Sequence, residues 1–140
     1  MSARPGARGV LRNHALILDD EADARNLLAR IAMDAGFEVS LASTIDEFIS
    51  QFSNNRPTFL ILDVFLGDEH IESVFRFLRN QRFTEPVAMV SGYAIREMDV
   101  LVADALGKGI LVACLFEKAS MSVSLRHLLG IYHLGVKAAS

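Results

Sequence analysis

Residues 15–25 read ALILDDEADAR, an aliphatic run that stops on two adjacent aspartates and passes directly into a segment of helical spacing. A carboxylate beside buried aliphatics must be desolvated or paired, and two in succession raise that demand. The stretch therefore poses two questions at once. Its apolar part, Ala15 to Leu18, has the length of a buried strand, and Asp23 to Ala35 behind it spaces Leu27, Leu28 and Ile31 on one helical face.

The same alternation continues along the chain. Strand-like runs fall at Ala15 to Leu18, Phe37 to Leu41, Thr58 to Leu62, Val87 to Val90 and Ile110 to Phe116. Helical spacing occupies Asp23 to Ala35, Ile45 to Phe52 (with Phe48, Ile49 and Phe52), Ile71 to Asn80, Ile95 to Leu106 and Met121 to His133. Local punctuation agrees with it. Asp23 is positioned to cap the first helix and Gly36 to end it, and Thr44 with Glu47 three residues on makes a capping box for the second. Continuous apolar strands alternating with helices predict an α/β fold, a five-stranded parallel sheet with helices on both faces.

Composition bounds what such a domain does. A length of 140 residues with 51% hydrophobic residues suits one domain with a well-buried core. A formal net charge of −3 supplies no basic footprint, so no nucleic-acid contact is expected. The single cysteine, Cys114, lies in the apolar run ILVACLF; it rules out an internal disulfide and a cysteine-rich metal site and is expected to be a buried structural thiol. The opening segment carries Arg4, Arg8 and Arg12 without an apolar stretch behind them, and nowhere do eighteen apolar residues follow one another. The expected organisation is a flexible leader at 1–13, a domain at 14–133 and a tail at 134–140, in a cytoplasmic protein with no membrane contact.

Right-handed crossovers place the carboxyl end of every parallel strand on one edge of the sheet, which is where doubly wound folds bind ligands. The first strand ends in Asp19 and Asp20, the third in Asp63, the fourth in Ser91, and the fifth runs to Lys118. Taken singly, each has an ordinary explanation: an aspartate after a strand forms turns or caps, a lysine is solvated, and Ser-Gly makes a turn. Together they need another, since three carboxylates at one edge repel unless a cation sits among them. Hard oxygen ligands on a shallow rim suit magnesium, which retains several waters and takes a few carboxylates plus a phosphoryl oxygen.

With LILDDE, LILDV, VSG and FEKAS in this order at successive strand ends, the sequence resembles the receiver domain of two-component response regulators over about residues 14–133. The resemblance implies a flavodoxin-like doubly wound sheet of strand order 2-1-3-4-5. It implies that Asp63 accepts a phosphoryl group from a sensor histidine kinase or phosphotransfer protein, with Lys118 pairing with the phosphoryl oxygens and the Ser91 hydroxyl moving in to hydrogen-bond one of them. Mg2+ would be held by Asp20, Asp63 and the backbone carbonyl of Phe65, with Asp19 acting mainly through water. The domain would be a switch that supports its own phosphotransfer and autodephosphorylation, not a metabolic enzyme. Output would pass to a downstream protein target, with a homodimer through the face of the fourth helix, fifth strand and fifth helix left open.

Several positions depart from the family pattern. Ala119 follows Lys118 where the family has proline, Leu115 stands where a switch aromatic is common, and Phe116 beside it should point to the opposite face. The stretch from Ser91 to Lys118 is longer than usual, which implies an enlarged fourth helix or exit loop. Phe65 and Tyr93, two residues beyond Asp63 and Ser91, either flank the path of a hydrolytic water or simply pack on the loops. A flavin- or dinucleotide-binding domain would want a glycine-rich first turn, which DDEADA lacks. The alternative kept open is a receiver-like interaction scaffold that is not phosphorylated.

Overall fold

The structure, a computed structural model, describes residues 13–66, 70–92, 98–118 and 125–130. Five strands form one parallel sheet: β1 (His14–Leu18), β2 (Glu38–Ala42), β3 (Phe59–Asp63), β4 (Val87–Ser91) and β5 (Val112–Glu117), in the order β2-β1-β3-β4-β5. The helices between them are α1 (Ala22–Asp34), α2 (Ile45–Asn54), α3 (Ile71–Asn80) and α4 (Asp99–Gly107), and residues 125–130 are again helical. This is the doubly wound order that the sequence resemblance implies.

Strand alternation divides the apolar residues between two layers. Ala15, Ile17, Phe59, Ile61, Ala88 and Val90 point to one face, where α1 supplies Leu28, Ile31 and Ala32 and the last helical segment supplies Leu125 and Leu129. Leu16, Leu18, Leu60, Leu62 and Met89 point to the other, covered by α2, α3 and α4 through Phe48, Phe52, Val74, Phe75, Leu78 and Ala105. Central strands β1, β3 and β4 are buried on both sides, which is why they read as unbroken apolar runs. Each of the fully buried rings Phe48, Phe59 and Phe75 contributes roughly 2–3 kcal/mol by leaving water. Leu115 packs on the α2–α4 side and Phe116 on the other, as strand alternation requires.

Strand and helix bounds fall within a residue or two of the sequence reading except at the fourth helix, whose described part begins at Asp99, residues 93–97 lying outside the described set, and at the fifth, expected at Met121 to His133, of which only 125–130 are described. Tyr93, Ala119, residues 1–12 of the leader expected at 1–13, and the tail at 134–140 also lie outside it. Two expectations for α1 are corrected. Leu27 is 42% exposed, because the helix turns only Leu28, Ile31 and their neighbours to the sheet. Asp23 lies inside the first turn, and the N-cap position belongs to Glu21, whose side chain makes no cap bond. Thr44 does cap α2, accepting from the Glu47 N–H at 3.1 Å, but the Glu47 carboxylate returns to Ser43, accepting from its N–H and its hydroxyl at 2.7 Å each. The reciprocal half of the box is thus displaced by one residue.

Helix ends repeat one device. After α1 the N–H of Gly36 (φ 96°) donates to Met33 and that of Phe37 to Ala32, and after α4 Gly109 (φ 80°) and Ile110 do the same to Leu106 and Ala105. The same pair of hydrogen bonds closes α3, with the N–H of Arg82 donating to Arg79 and that of Phe83 to Leu78, yet here the left-handed residue is an arginine at φ 52°. A side chain in that region is crowded by its own Cβ, so Arg82→Gly is expected to stabilise the fold by about 0.5–1 kcal/mol. A higher urea midpoint at unchanged slope is the expected reading, and a lower one refutes the strain.

Candidate functional site

Register assembles the site before any side chain is considered. Leu18 of β1 pairs with Leu62 of β3, so Asp19 lies level with Asp63, and both continue the face that carries Ile17 and Ile61. Asp63 pairs with Val90, which puts Ser91 one step beyond it; Ser91 in turn pairs with Glu117, and Lys118 is the next residue. The structure thereby brings Asp19, Asp63, Ser91 and Lys118 together at the carboxyl edge, with Asp19, Asp63 and Ser91 almost entirely buried and Asp20 exposed.

The two buried aspartates use their oxygens alike. Asp19 Oδ1 accepts from the N–H of Glu21 at 2.9 Å, and Asp63 Oδ1 accepts from the N–H of Phe65 at 3.1 Å. Each carboxylate therefore shapes its own strand-to-loop turn, and its remaining oxygen is left for chemistry. The turn-forming and site-forming readings of these aspartates hold together. Arg25 on α1 donates to the Asp19 carbonyl at 2.9 Å and ties the first loop to its helix.

Lys118 is the cation of the cluster. Its Nζ lies 3.1 Å from Asp19 Oδ2, 3.1 Å from Asp63 Oδ2 and 2.7 Å from Glu21 Oε1. Desolvation acts to lower its pKa, but the bonds to Glu21 and Asp19 and the charge of Asp63 outweigh it and hold the ammonium above the ordinary lysine value. Burial raises the Asp63 carboxyl to about 6; the Phe65 N–H opposes that shift, the Asp19 charge adds to it, and Lys118 opposes it again. Glu21 is shifted down by its hydrogen bond to Lys118 and by the lysine's charge.

Asp19, Asp20 and Asp63 each offer an oxygen within 4.8 Å of the others. The hydrogen bond from Lys118 to Asp19 goes to Oδ1 at 3.2 Å, so the buried Oδ2 meets the ammonium as an ion-pair contact at 3.1 Å but accepts no hydrogen bond among the described residues. A buried carboxylate oxygen with unused hydrogen-bonding capacity in an all-oxygen cluster fits a hard divalent cation of the magnesium or calcium type. Phe65 is half-buried and packs against the core cluster, and its backbone is fixed beside Asp63 by its N–H. Cys114 is half-buried on β5, and burial pushes its thiol up to about 12, which suits an inert structural group. The sequence reading did not single out Glu21 or Arg25. A glutamate opening a helix is ordinary, and nothing local announces a lysine 97 residues away.

An acidic cluster that fits a divalent cation, with a lysine beside it at the carboxyl edge of a doubly wound parallel sheet, defines the class of protein. The response regulator receiver domain family matches residues 15–115, and the chain belongs to that family. It is therefore a signalling domain of the two-component type and not a metabolic enzyme. Among curated proteins it is similar to the nitrogen assimilation regulatory protein NtrX of Azorhizobium caulinodans, 29% identical over 80 residues that make up 56% of this chain and 18% of that protein. The chain thus spans less than a fifth of that relative's length. Among solved structures it is similar to a CheY-like receiver domain protein of Methanospirillum hungatei (TM-score 0.74, 21% identity, 93% of this chain and 100% of that one). It is also similar to a response regulator of Burkholderia pseudomallei solved with a phosphorylated aspartic acid, a calcium ion and citrate (TM-score 0.69, 22% identity, 91% and 72%). Among the described residues no helix is long and apolar enough to cross a membrane.

Proposed function

We propose that the domain accepts a phosphoryl group on Asp63 from a sensor histidine kinase or phosphotransfer protein and signals by altered protein contacts. The observation that carries this reading is Asp63 itself: buried at a strand end, with Oδ1 engaged by the Phe65 N–H and Oδ2 facing the ammonium of Lys118 at 3.1 Å. Family membership and the phosphorylated aspartic acid of the Burkholderia neighbour support it. In the transfer, an Asp63 oxygen forms the new O–P bond as the P–N bond of the donor phosphohistidine breaks, and the departing imidazole keeps the bonding pair and takes a proton.

Asp19, Asp20, Asp63 and the Phe65 carbonyl are the residues that would hold Mg2+. Bound there, the ion supplies charge neutralisation between an anionic nucleophile and an anionic donor. Lys118 pairs with the phosphoryl oxygens, and Ser91, from the end of β4, donates its hydroxyl to one of them. The face of α4, β5 and the last helical segment, where Val100 and Leu106 on α4 and Leu111 just before β5 are exposed, is the one we propose for a downstream target or a second copy of the domain.

A small phosphodonor with Mg2+ is expected to add one phosphoryl group, found on the peptide containing Asp63, and both chelation and Asp63→Asn are expected to abolish it. Labelling that survives both places the phosphoryl group elsewhere. Absence of labelling in the wild-type protein favours the unphosphorylated scaffold.

A further inference from the structure

We infer that Glu21 is a positioning residue that holds Lys118 before phosphorylation and surrenders it to the phosphoryl group. The inference rests on Asp63 as phosphoacceptor and extends it to a residue outside the set of Asp19, Asp20, Asp63, Ser91 and Lys118. Of the three carboxylates that meet Lys118, Glu21 makes the shortest contact, 2.7 Å against 3.1 Å for Asp19 and Asp63, and yet it is the exposed one, its side chain 68% accessible.

Backbone geometry explains how an exposed residue keeps this position. The Glu21 N–H donates to Asp19 Oδ1 at 2.9 Å, and the Glu21 carbonyl accepts from the Arg25 N–H at 2.9 Å, so the residue is clamped at both ends between the acidic loop and α1. It occupies the N-cap of α1 but makes no cap bond, because a glutamate side chain is too long to fold back onto the helix N–H groups efficiently. Its carboxylate reaches across to Lys118 instead.

The three carboxylates differ in what they lose when Lys118 moves. Asp19 and Asp63 are buried and cannot exchange the ammonium for water. Glu21 can, since its carboxylate already faces solvent. A phosphoryl group on Asp63 brings further anionic oxygens into the cluster, and the contact that yields is the one with Glu21. Glu21 therefore sets a threshold against phosphorylation: the donor must outbid it for the lysine, and it also adds a negative charge at the entrance.

The test uses the full chain at saturating Mg2+, comparing wild type, Glu21→Gln and Glu21→Asp for beryllofluoride affinity and for the rate of Asp63 labelling by a small phosphodonor. Glu21→Gln removes the charge. Glu21→Asp keeps it but draws the shorter side chain back to cap α1. Both variants are expected to bind beryllofluoride about two- to fivefold more tightly and to label faster in proportion, the range that an exposed ion pair supports. The wild-type deficit is expected to shrink as salt rises, since an exposed pair is screened. Wild-type values in Glu21→Gln overturn the inference while leaving the Asp63 reading intact. A gain in Glu21→Gln with none in Glu21→Asp also overturns it, because general repulsion of the donor then accounts for the effect. If wild type neither labels nor binds beryllofluoride, the Asp63 reading falls and takes this exchange with it.

Discussion

Replacing Lys118 with methionine is expected to destabilise the metal-free protein by about 3 kcal/mol at about pH 8, because a buried ion pair that loses one partner leaves the other charge uncompensated. From sequence, Lys118 is a rim ammonium with little share in packing. The structure shows otherwise: its side chain is 17% exposed and lies between carboxylates whose side chains are 0% and 3% exposed. Methionine keeps the apolar stem and removes only the charge, so lost packing contributes little. As pH falls, Asp63 takes up a proton and the deficit narrows, since a neutral carboxyl no longer needs the ammonium. Added Mg2+ is expected to recover much of the loss by placing another cation among Asp19, Asp20 and Asp63. Urea unfolding with chelator and with Mg2+, at alkaline and acidic pH, measures all of this. Wild-type stability of the variant at alkaline pH in chelator shows that Lys118 is not needed to hold the cluster together.

Asp63→Asn is expected to act in the opposite direction, making the metal-free protein more stable at neutral pH. The Asp63 carboxyl is raised in the folded state from 3.8 to about 6, chiefly by burial. Between those values the folded protein binds more protons than the unfolded chain, so this group's contribution to stability falls as pH rises through the window. Above the folded pKa the charged form carries its full penalty, about 2–3 kcal/mol for a shift of this size. Asparagine keeps the shape and removes the charge. The variant should therefore exceed wild type by about 2 kcal/mol near neutrality, with the two curves converging below about pH 4. Mg2+ should reverse the order by stabilising wild type more. Parallel stability–pH curves for the two proteins in chelator would falsify the assignment of this titration to Asp63.

Both predictions depend on a site that was partly legible before folding. Asp19, Asp20, Asp63, Ser91 and Lys118 stand out because each closes a strand, and a parallel sheet gathers strand ends on one edge whatever the details of packing. Which of these groups meet, and how deeply, is not encoded in any local window. Asp19 and Asp63 become nearly inaccessible neighbours only once β1 and β3 pair in register at Leu18 and Leu62. Asp20, the adjacent residue with the same side chain, stays in solvent. Strand alternation separates them.

Sequence by itself determined the features that backbone periodicity and local chemistry control. These are the alternation of strands and helices, the bounds of α3 at Ile71–Asn80, the opposite facing of Leu115 and Phe116, the Thr44 cap and the glycine stop at Gly36. Tertiary structure decided the rest. It turned Leu27 outward although its spacing fits an apolar face, sent the Glu47 carboxylate to Ser43, placed Arg82 in the left-handed region at the end of α3, and set Glu21 against Lys118. The physical reason is range. A helical period or a glycine turn is specified by the few residues that form it, whereas the partner of a charged side chain is whichever group the packed sheet and helices bring within about 3 Å, and for Lys118 that group lies at the other end of the chain.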